Sequence, residues 1–514
     1  MQCNEGEDAV QYGFAIDQRT CIGCHACTVA CKTEHEVPLG QFRTWVKYVD
    51  QGEFPATTRD FGVMRCNHCT DAPCIKICPT EALFKRDDGI VDFDKDRCIG
   101  CKSCMQGCPY DAIYIDADTN TAAKCNFCAH RVDEDLEPAC VVVCPTHSIW
   151  VGDLDDPTSG ISRLVNNNAT TVRAPEQNTG PNVFYLGADR AVLDPLAAPV
   201  DDTYIWAKPD AQRLETAGDL PGDPTTNART TLNTAHPRPW GWKVVTYLWT
   251  KGVGAGALGL ACLAYLLGID LGVSGDYVAP LLGLFGAATT GALLVWDLKR
   301  PERFLYIFLK SNFTSWIVLG AYVLTIFSGG AVLWLLAAAL NVGWMMTVLA
   351  WLGIPVSAMM AGYTAFLFGQ AEGRDLWQSP VLFWHLLVQA VMVGSGALAV
   401  AGLFVDLSDS AWDFLAVSFV ISTVMHLLIL GLEYFGRHAS RQAAVAAHIV
   451  THGRYAQTFW LISVVPTVVA AVLGGLTLSG VSVVLLAVAG LVVQPALVAY
   501  ESVFVRAGQD PPLS

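Results

Sequence analysis

The segment CIGCHACTVAC (residues 21–31) places four cysteines at the spacing Cys-x2-Cys-x2-Cys-x3-Cys, and this spacing decides how the front of the chain folds. Three variations follow, at residues 66–79 (CNHCTDAPCIKICP), 98–109 (CIGCKSCMQGCP) and 125–145 (CNFCAHRVDEDLEPACVVVCP). Three of the four groups end in Cys-Pro. The sixteen cysteines are Cys21, Cys24, Cys27, Cys31, Cys66, Cys69, Cys74, Cys78, Cys98, Cys101, Cys104, Cys108, Cys125, Cys128, Cys140 and Cys144.

These four groups have the spacing of iron–sulfur ligands. Three cysteines close together bind three corners of a [4Fe–4S] cube, and the fourth reaches a neighbouring cube, so the groups work in pairs. Disulfide bonds are a less suitable explanation for so many cysteines, because disulfide frameworks of this density belong to short secreted chains. Structural zinc sites share Cys-x2-Cys but lack the fourth cysteine followed by proline. The sequence therefore predicts four [4Fe–4S] clusters.

Charge is unevenly distributed along the 514 residues. Residues 1–239 contain 35 Asp and Glu against 21 Lys and Arg, whereas residues 240–514 contain 12 against 11. An acidic front part is the opposite of the basic surface that binds nucleic acid, so we expect no nucleic-acid partner. The first ten residues, MQCNEGEDAV, lack the basic start and apolar run of a secretory signal, and we expect none.

From residue 240 onward, long apolar segments alternate with short polar turns. Most reach the ~20 residues that cross a bilayer as a helix, and so many in a row have no use in a soluble protein. The eight predicted spans are roughly 242–269, 277–297, 316–340, 344–369, 380–403, 414–434, 458–474 and 478–504. The sequence thus predicts an integral membrane protein.

An even number of spans puts both ends of the membrane half on one side. The turns on that side carry ten Lys and Arg residues, among them Lys243, Arg300 and Arg303, and the opposite turns carry Asp residues such as Asp270 and Asp406. By the positive-inside rule, the basic side and the front domain are expected to face the cytoplasm.

Residues 150–239 are rich in Pro, Asp, Asn and Thr, a composition that buries little apolar surface. We expect mostly extended chain, with the strand-like NVFYLG (182–187) attached to the front domain. The predicted organisation is a cluster domain at 1–190, a linker at 191–239 and a membrane domain at 240–514.

Ionisable residues inside membrane spans are rare and functional by default. Here they are Lys251, His385, His426 and Glu433, and all lie in the half nearest the basic side. This placement favours a quinone site close to the last cluster. His385 and His426 are also possible axial ligands of a haem, an interpretation that we consider weaker because the spans contain no further histidines.

Three stretches of the membrane half resemble the NrfD-like quinone-reacting anchors, such as the membrane subunit of polysulfide reductase. They are WDLKRPERFLYIFLKSNFTSW (296–316), WGWKVVTYLWTKGVGAGA (240–257) and AGYTAFLFG (361–369). The front 190 residues are similar to the four-cluster electron-transfer subunits of the same enzymes, including GDLDDPTSG (152–160) after the last cysteine. The resemblance implies a member of the complex iron–sulfur molybdoenzymes in which these two subunits are fused.

The resemblance also implies the fold and the cluster ligands. The fold is an α+β ferredoxin-like four-cluster domain followed by an all-α eight-helix transmembrane bundle in a prokaryotic cell membrane. The implied ligand sets, in the order that we number the clusters, are Cys21, Cys24, Cys27 and Cys144 (cluster 1); Cys125, Cys128, Cys140 and Cys31 (cluster 2); Cys66, Cys69, Cys74 and Cys108 (cluster 3); and Cys98, Cys101, Cys104 and Cys78 (cluster 4).

Menaquinone or ubiquinone is the expected membrane substrate. By resemblance, Tyr247, Lys251 and Tyr363 contact its headgroup and Arg300 shapes the loop above, and His385 is added as a buried ionisable residue. We expect Asp297 or Glu433 to pair with the buried charge of Lys251.

We therefore expect an electron-transfer and quinone-reacting subunit that has no substrate chemistry of its own beyond the quinone. Its expected partner is a separate molybdopterin catalytic subunit. Two alternatives stay open: an equivalent subunit of a hydrogenase or cytochrome-linked complex, and a redox-driven proton-translocating module.

Overall fold

A computed structural model of the protein describes residues 10–199, 226–234 and 238–514. The prediction about an export signal rests largely on residues 1–9, which lie outside this part of the chain. Much of the predicted linker, residues 200–225 and 235–237, also lies outside it.

The front domain is built from short strands and helices that surround the cysteine groups. Its strands are β1 (Tyr12–Asp17), β2 (Thr44–Glu53), β3 (Ala56–Arg65), β4 (Leu83–Lys85), β5 (Val91–Phe93), β6 (Ile113–Ile115), β7 (Ala122–Lys124), β8 (Ile149–Asp153), β9 (Thr170–Thr171), β10 (Val183–Leu186) and β11 (Arg229–Leu232). Its helices are α1 (Ala26–Glu34), α2 (Pro73–Lys76), α3 (Ser103–Gly107), α4 (Ala129–Val132), α5 (Ala139–Val142), α6 (Gly160–Asn167) and α7 (Arg190–Leu193).

Each cysteine group has a helix, and the residue after its fourth cysteine governs where that helix ends. Helices α2, α3 and α5 all stop just before a Cys-Pro pair. Proline disfavours helical geometry in the residue before it, so these helices are only four or five residues long. In α1 the fourth cysteine, Cys31, is followed by Lys32, and the helix continues to Glu34. The hairpins β4–β5 and β6–β7 follow the second and third groups.

The stretch after the last cysteine folds back onto the domain. Strand β10 pairs in parallel with β1, which confirms the predicted attachment of NVFYLG, and β8 pairs with β1 on its other side. The expectation of mostly extended chain was therefore wrong for residues 150–193, which contain most of β8 and all of α6, β9, β10 and α7. Strand β11, inside the predicted linker range, pairs with β2 because its alternate residues Thr230 and Leu232 are buried.

Eight helices in the described part of the chain are long and apolar enough to cross a membrane, as the sequence predicts. They are span 1 (Trp242–Leu267), span 2 (Ser274–Asp297), span 3 (Trp316–Ala339), span 4 (Gly343–Gly369), span 5 (Leu382–Ala401), span 6 (Asp409–Phe435), span 7 (Thr458–Leu478) and span 8 (Val483–Ala507).

Span 1 lies at the centre of the bundle. Its most apolar window is 67% buried, against 22% in spans 3 and 7, which face outward. Glycines let its neighbours approach this closely. A Cβ on Gly256 would lie 1.8 Å from the Ala390 carbonyl oxygen of span 5, and one on Gly286 of span 2 would lie 2.4 Å from the Thr250 oxygen.

The two halves join through the turns at one end of the bundle. After span 2, the amides of Lys299 and Arg300 donate to the carbonyls of Gly100 and Ile99 in the third cysteine loop. Asn312 donates from Nδ2 to the Cys78 carbonyl at 2.8 Å. The third cysteine group therefore sits directly on the membrane half.

Candidate cluster and quinone sites

The four cysteine loops share one backbone feature. The residue before the second cysteine has a positive φ in every group: Gly23, His68, Gly100 and Phe127, at 67°, 44°, 66° and 65°. A left-handed residue curls the chain tightly between two cysteines, which allows their sulfurs to face one point. Backbone amides also reach the sulfurs, as from Gly100 and Ala122 to Cys98 Sγ at 3.4 and 3.3 Å.

The outer two groups interleave as the resemblance implies. Burial raises the pKa of the Cys31 thiol well above its usual range, and the neighbouring Cys125, Cys140 and Cys128 raise it further. Burial likewise raises the pKa of Cys21, and Cys144 and Cys24 add to the effect. Each set thus combines three cysteines of one loop with the last cysteine of the other.

The inner two groups interleave in the same way. Burial raises the pKa of Cys74 well above its usual range, with Cys108, Cys66 and Cys69 as charged neighbours.

For Cys104 the dominant cause of its raised pKa is again burial, followed by Cys101, Cys98 and Cys78. These neighbours are those that the four implied ligand sets require, and the assignment of each set to one cluster stays a prediction.

Pairs of neighbouring cysteines that belong to different sets show the order of the four sets in space. Cys27 of set 1 lies near Cys140 of set 2, Cys66 of set 3 lies near Cys125 of set 2, and Cys104 of set 4 lies near Cys74 of set 3. Sets 1 to 4 therefore form a line from the far end of the front domain to the membrane half.

The chemistry of these sets fits iron–sulfur cubes. No three His, Cys, Asp or Glu side chains in the described part of the chain converge as the ligands of a single metal ion do. A cube spreads its four ligands over its corners instead. Buried cations balance thiolate charge: Arg65 Nη1 donates to Cys140 Sγ at 3.3 Å, and Lys124 is fully buried against the Cys125 carbonyl. His35 Nε2 lies 3.1 Å from Cys128 Sγ, and burial lowers the pKa of His35 to about 3, so its ring is neutral.

A cavity of about 410 Å³ lies where the fourth set meets the bundle. Cys101 and Ser103 of the front domain form part of its wall, and Tyr247 of span 1 and Tyr363 of span 4 form another part. The remaining lining is mainly apolar and comes from spans 1 to 4 and the turn after span 2. A mostly apolar cavity with a few polar groups is typical of a small-molecule site.

Lys243 and Asp297 line this cavity, and Asp297 also pairs with Lys102 of the front domain. Asp297 Oδ2 is 2.6 Å from Lys102 Nζ, and its Oδ1 is 3.7 Å from Lys243 Nζ. Lys102 follows the cluster ligand Cys101 directly, so this triad links the fourth cysteine set to the cavity mouth.

Of the five predicted quinone residues, the structure places three together. Tyr247 and Tyr363 line the cavity. Lys251 lies one helical turn deeper than Tyr247, with Nζ 4.5 Å from the centre of the Tyr363 ring, and donates to Thr364 Oγ1. The expectation that Asp297 or Glu433 pairs with Lys251 was wrong, because Asp297 faces the two lysines at the mouth and Glu433 faces His385. The carboxylate that interacts with Lys251 is Glu501 of span 8.

The other two predicted residues are not part of this lining. Arg300 donates from Nε and Nη2 to the Thr119 carbonyl, which fastens the loop after span 2 to the front domain. His385 lies among spans 5, 6 and 8, with Nε2 2.9 Å from His426 Nδ1. Two axial ligands of one haem lie on opposite faces of the ring and cannot touch, so this contact does not fit the haem interpretation.

Sequence reasoning missed Ser103 as a contributor to this site and did not pair Glu501 with Lys251. Ser103 comes from the other half of the chain, and no spacing rule connects it with span 1 or span 4. Glu501 did carry a signal, since it is a carboxylate close to the end of an apolar span. Only the packing of span 8 against span 1 identifies Lys251 as its partner.

Comparisons with known proteins agree with an iron–sulfur domain followed by a membrane domain. Residues 58–154 match the family described as 4Fe-4S dicluster domain, and residues 230–501 match the family described as Polysulphide reductase, NrfD. A tetrathionate reductase subunit of Salmonella typhimurium is 44% identical over 197 residues, which cover 38% of this chain and 79% of that protein. A polysulfide reductase component of Wolinella succinogenes is 37% identical over 189 residues, 36% of this chain and 99% of that protein.

A third relative is the arsenate respiratory reductase iron-sulfur subunit of a Shewanella species, 34% identical over 225 residues, which cover 34% of this chain and 96% of that protein. The membrane match alone spans more than half of the chain. The protein is therefore a member of the NrfD family of integral membrane proteins, and an iron–sulfur domain similar to the electron-transfer subunits of these reductases is fused in front of its membrane domain.

Proposed function

We propose that this protein conducts electrons between a separate catalytic subunit and membrane quinone through four [4Fe–4S] clusters. One observation carries the proposal: Cys101, a ligand of cluster 4, and the tyrosines Tyr247 and Tyr363 line the same cavity. A quinone headgroup in this cavity touches the wall that holds the last cluster. Electron transfer then needs no moving carrier within the protein.

The clusters, when bound, supply one-electron transfer along the line of cysteine sets. The protein's own residues set the environment of that line. Arg65 and Lys124 lower the cost of adding electrons to buried clusters, and the His35 contact with Cys128 acts in the same direction. The protein therefore tunes the potentials of clusters that it holds in fixed order.

The quinone end is built to bind a ring and exclude water. Apolar side chains from spans 1 to 4 cover the ring, and Tyr247 and Tyr363, whose side chains both hydrogen-bond to Thr364, are the polar groups that face its oxygens. Lys251 stands behind Tyr363 and holds its ring from the far side. The triad of Lys102, Asp297 and Lys243 closes the mouth on the cluster side.

The opposite end of the line suits a docked protein. Cys24 of cluster 1 is exposed, and it is surrounded in sequence by the exposed apolar residues Ile22 and Val29. Val142 and Val143, next to the cluster 1 ligand Cys144, are exposed as well. We assign this face to the catalytic subunit of a reductase, as the names of the relatives support, and propose that this subunit holds molybdopterin. Lys and Arg in the turns on the cluster side support a cytoplasmic location for that domain.

The test is to purify the complex from its native membrane and add menaquinol and ubiquinol separately under anaerobic conditions. We expect one of them to bleach the iron–sulfur absorption, with about sixteen irons per protein molecule, since four cubes hold four irons each. Elemental analysis for molybdenum, tungsten, nickel and haem identifies the partner. Failure of both quinols to reduce the clusters, together with failure of the reduced clusters to reduce either quinone, would contradict the proposal.

A further inference from the structure

A second group of buried ionisable side chains lies in the membrane half, apart from the quinone cavity. His385 of span 5 lies between Glu433 and His426 of span 6: its Nδ1 is 3.0 Å from Glu433 Oε2, and its Nε2 is 2.9 Å from His426 Nδ1. Both histidine side chains are fully buried, and that of Glu433 is 9% exposed. Carboxylate, imidazole and imidazole thus stand in a row.

The row runs from the cluster-side surface into the bundle. Glu433 lies two residues before the end of span 6, and its Oε1 accepts from Ser379 Oγ, in the turn before span 5, at 3.3 Å. His426 lies seven residues earlier in the same helix, roughly 10 Å deeper at 1.5 Å per residue. The row therefore has a shallow carboxylate end and a deep imidazole end.

The deep end lies at the level of the residues behind the quinone cavity. His426 and Lys251 are each nine residues from the cluster-side ends of their helices, Phe435 and Trp242. Gln389 lies one turn beyond His385 on span 5, and Glu501, which interacts with Lys251, follows Tyr500, whose ring contacts the His426 ring.

Three polar atoms at this deep end have no hydrogen-bond partner among the residues that the structure describes. They are His426 Nε2, Gln389 Oε1 and Glu501 Oε2. Buried polar atoms that side chains do not satisfy are the places where proteins hold internal water, and such water passes protons.

We infer that Glu433, His385 and His426 form a proton relay between the cluster-side surface and the quinone cavity, with Glu501 and Lys251 as the exchange pair at the cavity end. The inference rests on the proposed quinone site. When a quinol is oxidised, both O–H bonds break, two electrons pass one at a time to the clusters, and two protons leave through the relay. Quinone reduction runs the same steps in reverse.

The surroundings of the relay favour transport over a structural role. Tyr500 donates from its hydroxyl to Glu433 Oε2 at 3.3 Å, and its ring lies 5.4 Å from each histidine ring; Tyr434 packs against Tyr500. His385 Nδ1 also has no hydrogen-bond partner among the described residues, although it lies 3.0 Å from Glu433 Oε2, so unsatisfied polar atoms occur along the whole row. A purely structural cluster has little reason to leave them so, because an unpaired buried polar group is costly. Toward the opposite face, the charged residues of the described spans are Asp276, Asp409 and Asp413, which lie in the first turns of spans 2 and 6, far from the row.

The test compares Glu433→Gln and His426→Gln with His448→Gln, which changes an exposed histidine on the same side of the membrane. The full complex in vesicles is mixed with quinol, and cluster bleaching is followed across a range of pH, with and without imidazole as a diffusible proton carrier. We expect both relay variants to lose about 100-fold in kcat at unchanged KM, the lower end of the range for a lost proton-transfer group. We also expect imidazole to restore much of the rate, and the control to match the wild type.

A second measurement does not depend on rate. The infrared difference spectrum between oxidised and quinol-reduced protein should contain a carboxyl signal that disappears in Glu433→Gln. Relay variants that match the control at every pH, or that are slow but indifferent to imidazole, would overturn the relay while leaving the quinone site intact. If quinol fails to reduce the wild-type clusters at all, the quinone site itself is refuted and the relay with it.

Discussion

The contact between Gly320 of span 3 and Tyr363 of span 4 offers a sharp test of the quinone cavity. A Cβ added at Gly320 would lie 2.3 Å from one ring carbon of Tyr363 and 2.6 Å from the next. Ordinary contacts begin at 3.4 Å, so the ring must move by about 1 Å to accept Gly320→Ala. Lys251 already stands over the ring, with Nζ 4.5 Å from its centre.

In the proposed function the Tyr363 side chain positions the quinone, so a displacement of this size should slow the reaction with quinol. A misplacement of about 1 Å in a site can cost roughly 100-fold in rate, equivalent to about 2.7 kcal/mol in the activation free energy. The fold should survive, since overpacking costs about 1–3 kcal/mol and replacing a helical glycine by alanine returns about 1 kcal/mol. We therefore expect a folded protein with all clusters present and a slow quinol reaction.

The assay is stopped-flow bleaching of the clusters by quinol, with iron content and thermal unfolding measured on the same samples. The matched control is Gly329→Ala on the same span, where an added Cβ meets no atom within 4 Å. If Gly320→Ala reacts with quinol as fast as Gly329→Ala, Tyr363 does not position the quinone and the cavity has been assigned the wrong role.

Three further predictions concern the clusters and their contact with the membrane half. In His35→Leu the contact to Cys128 Sγ is lost, and the potential of cluster 2 should fall by about 40 mV, the one-electron equivalent of a hydrogen bond of about 1 kcal/mol; an EPR redox titration that shows no fall would contradict this. In Cys101→Ser, quinol should no longer reduce the other three clusters, whereas dithionite still should; normal quinol reduction would exclude cluster 4 as the entry point. In Asn312→Ala the Cys78 carbonyl loses its donor, which should weaken the contact between the halves by about 1–3 kcal/mol; an unchanged denaturant midpoint for loss of the cluster signal would argue against this.

Much of the cluster domain can be predicted from the sequence. Cysteine spacing determines which ligands share a loop, and the proline after Cys78, Cys108 and Cys144 determines where their helices end. The eight spans are equally readable, because a helix that crosses a bilayer needs a fixed length of apolar chain. The composition of residues 150–193 misled the prediction, because their strands and helices bury few apolar residues each and gain stability from β1.

The charge pattern of the turns illustrates a limit of sequence reasoning. By the positive-inside rule, the Lys and Arg residues on the cluster side predict a cytoplasmic location, and the resemblance adds only that Arg300 shapes the loop above the quinone. In the structure, Arg300 donates to the Thr119 carbonyl and Arg303 to the Cys98 carbonyl, so these arginines also hold the two halves together. The same basic residues can thus orient the protein in the membrane and attach its two halves, and only the contacts in the structure reveal the second role.

By itself, the sequence determined the local features of this protein: which loops hold cysteines, where helices stop and which segments enter the membrane. These follow from forces that act between residues close together in the chain. The tertiary structure decided the rest: that Cys101 and Tyr363 line one cavity, that Lys251 faces Glu501, and that His385 belongs with Glu433 and His426. Each of these contacts joins distant residues, and helix packing selects it through the close approaches that a few glycines allow.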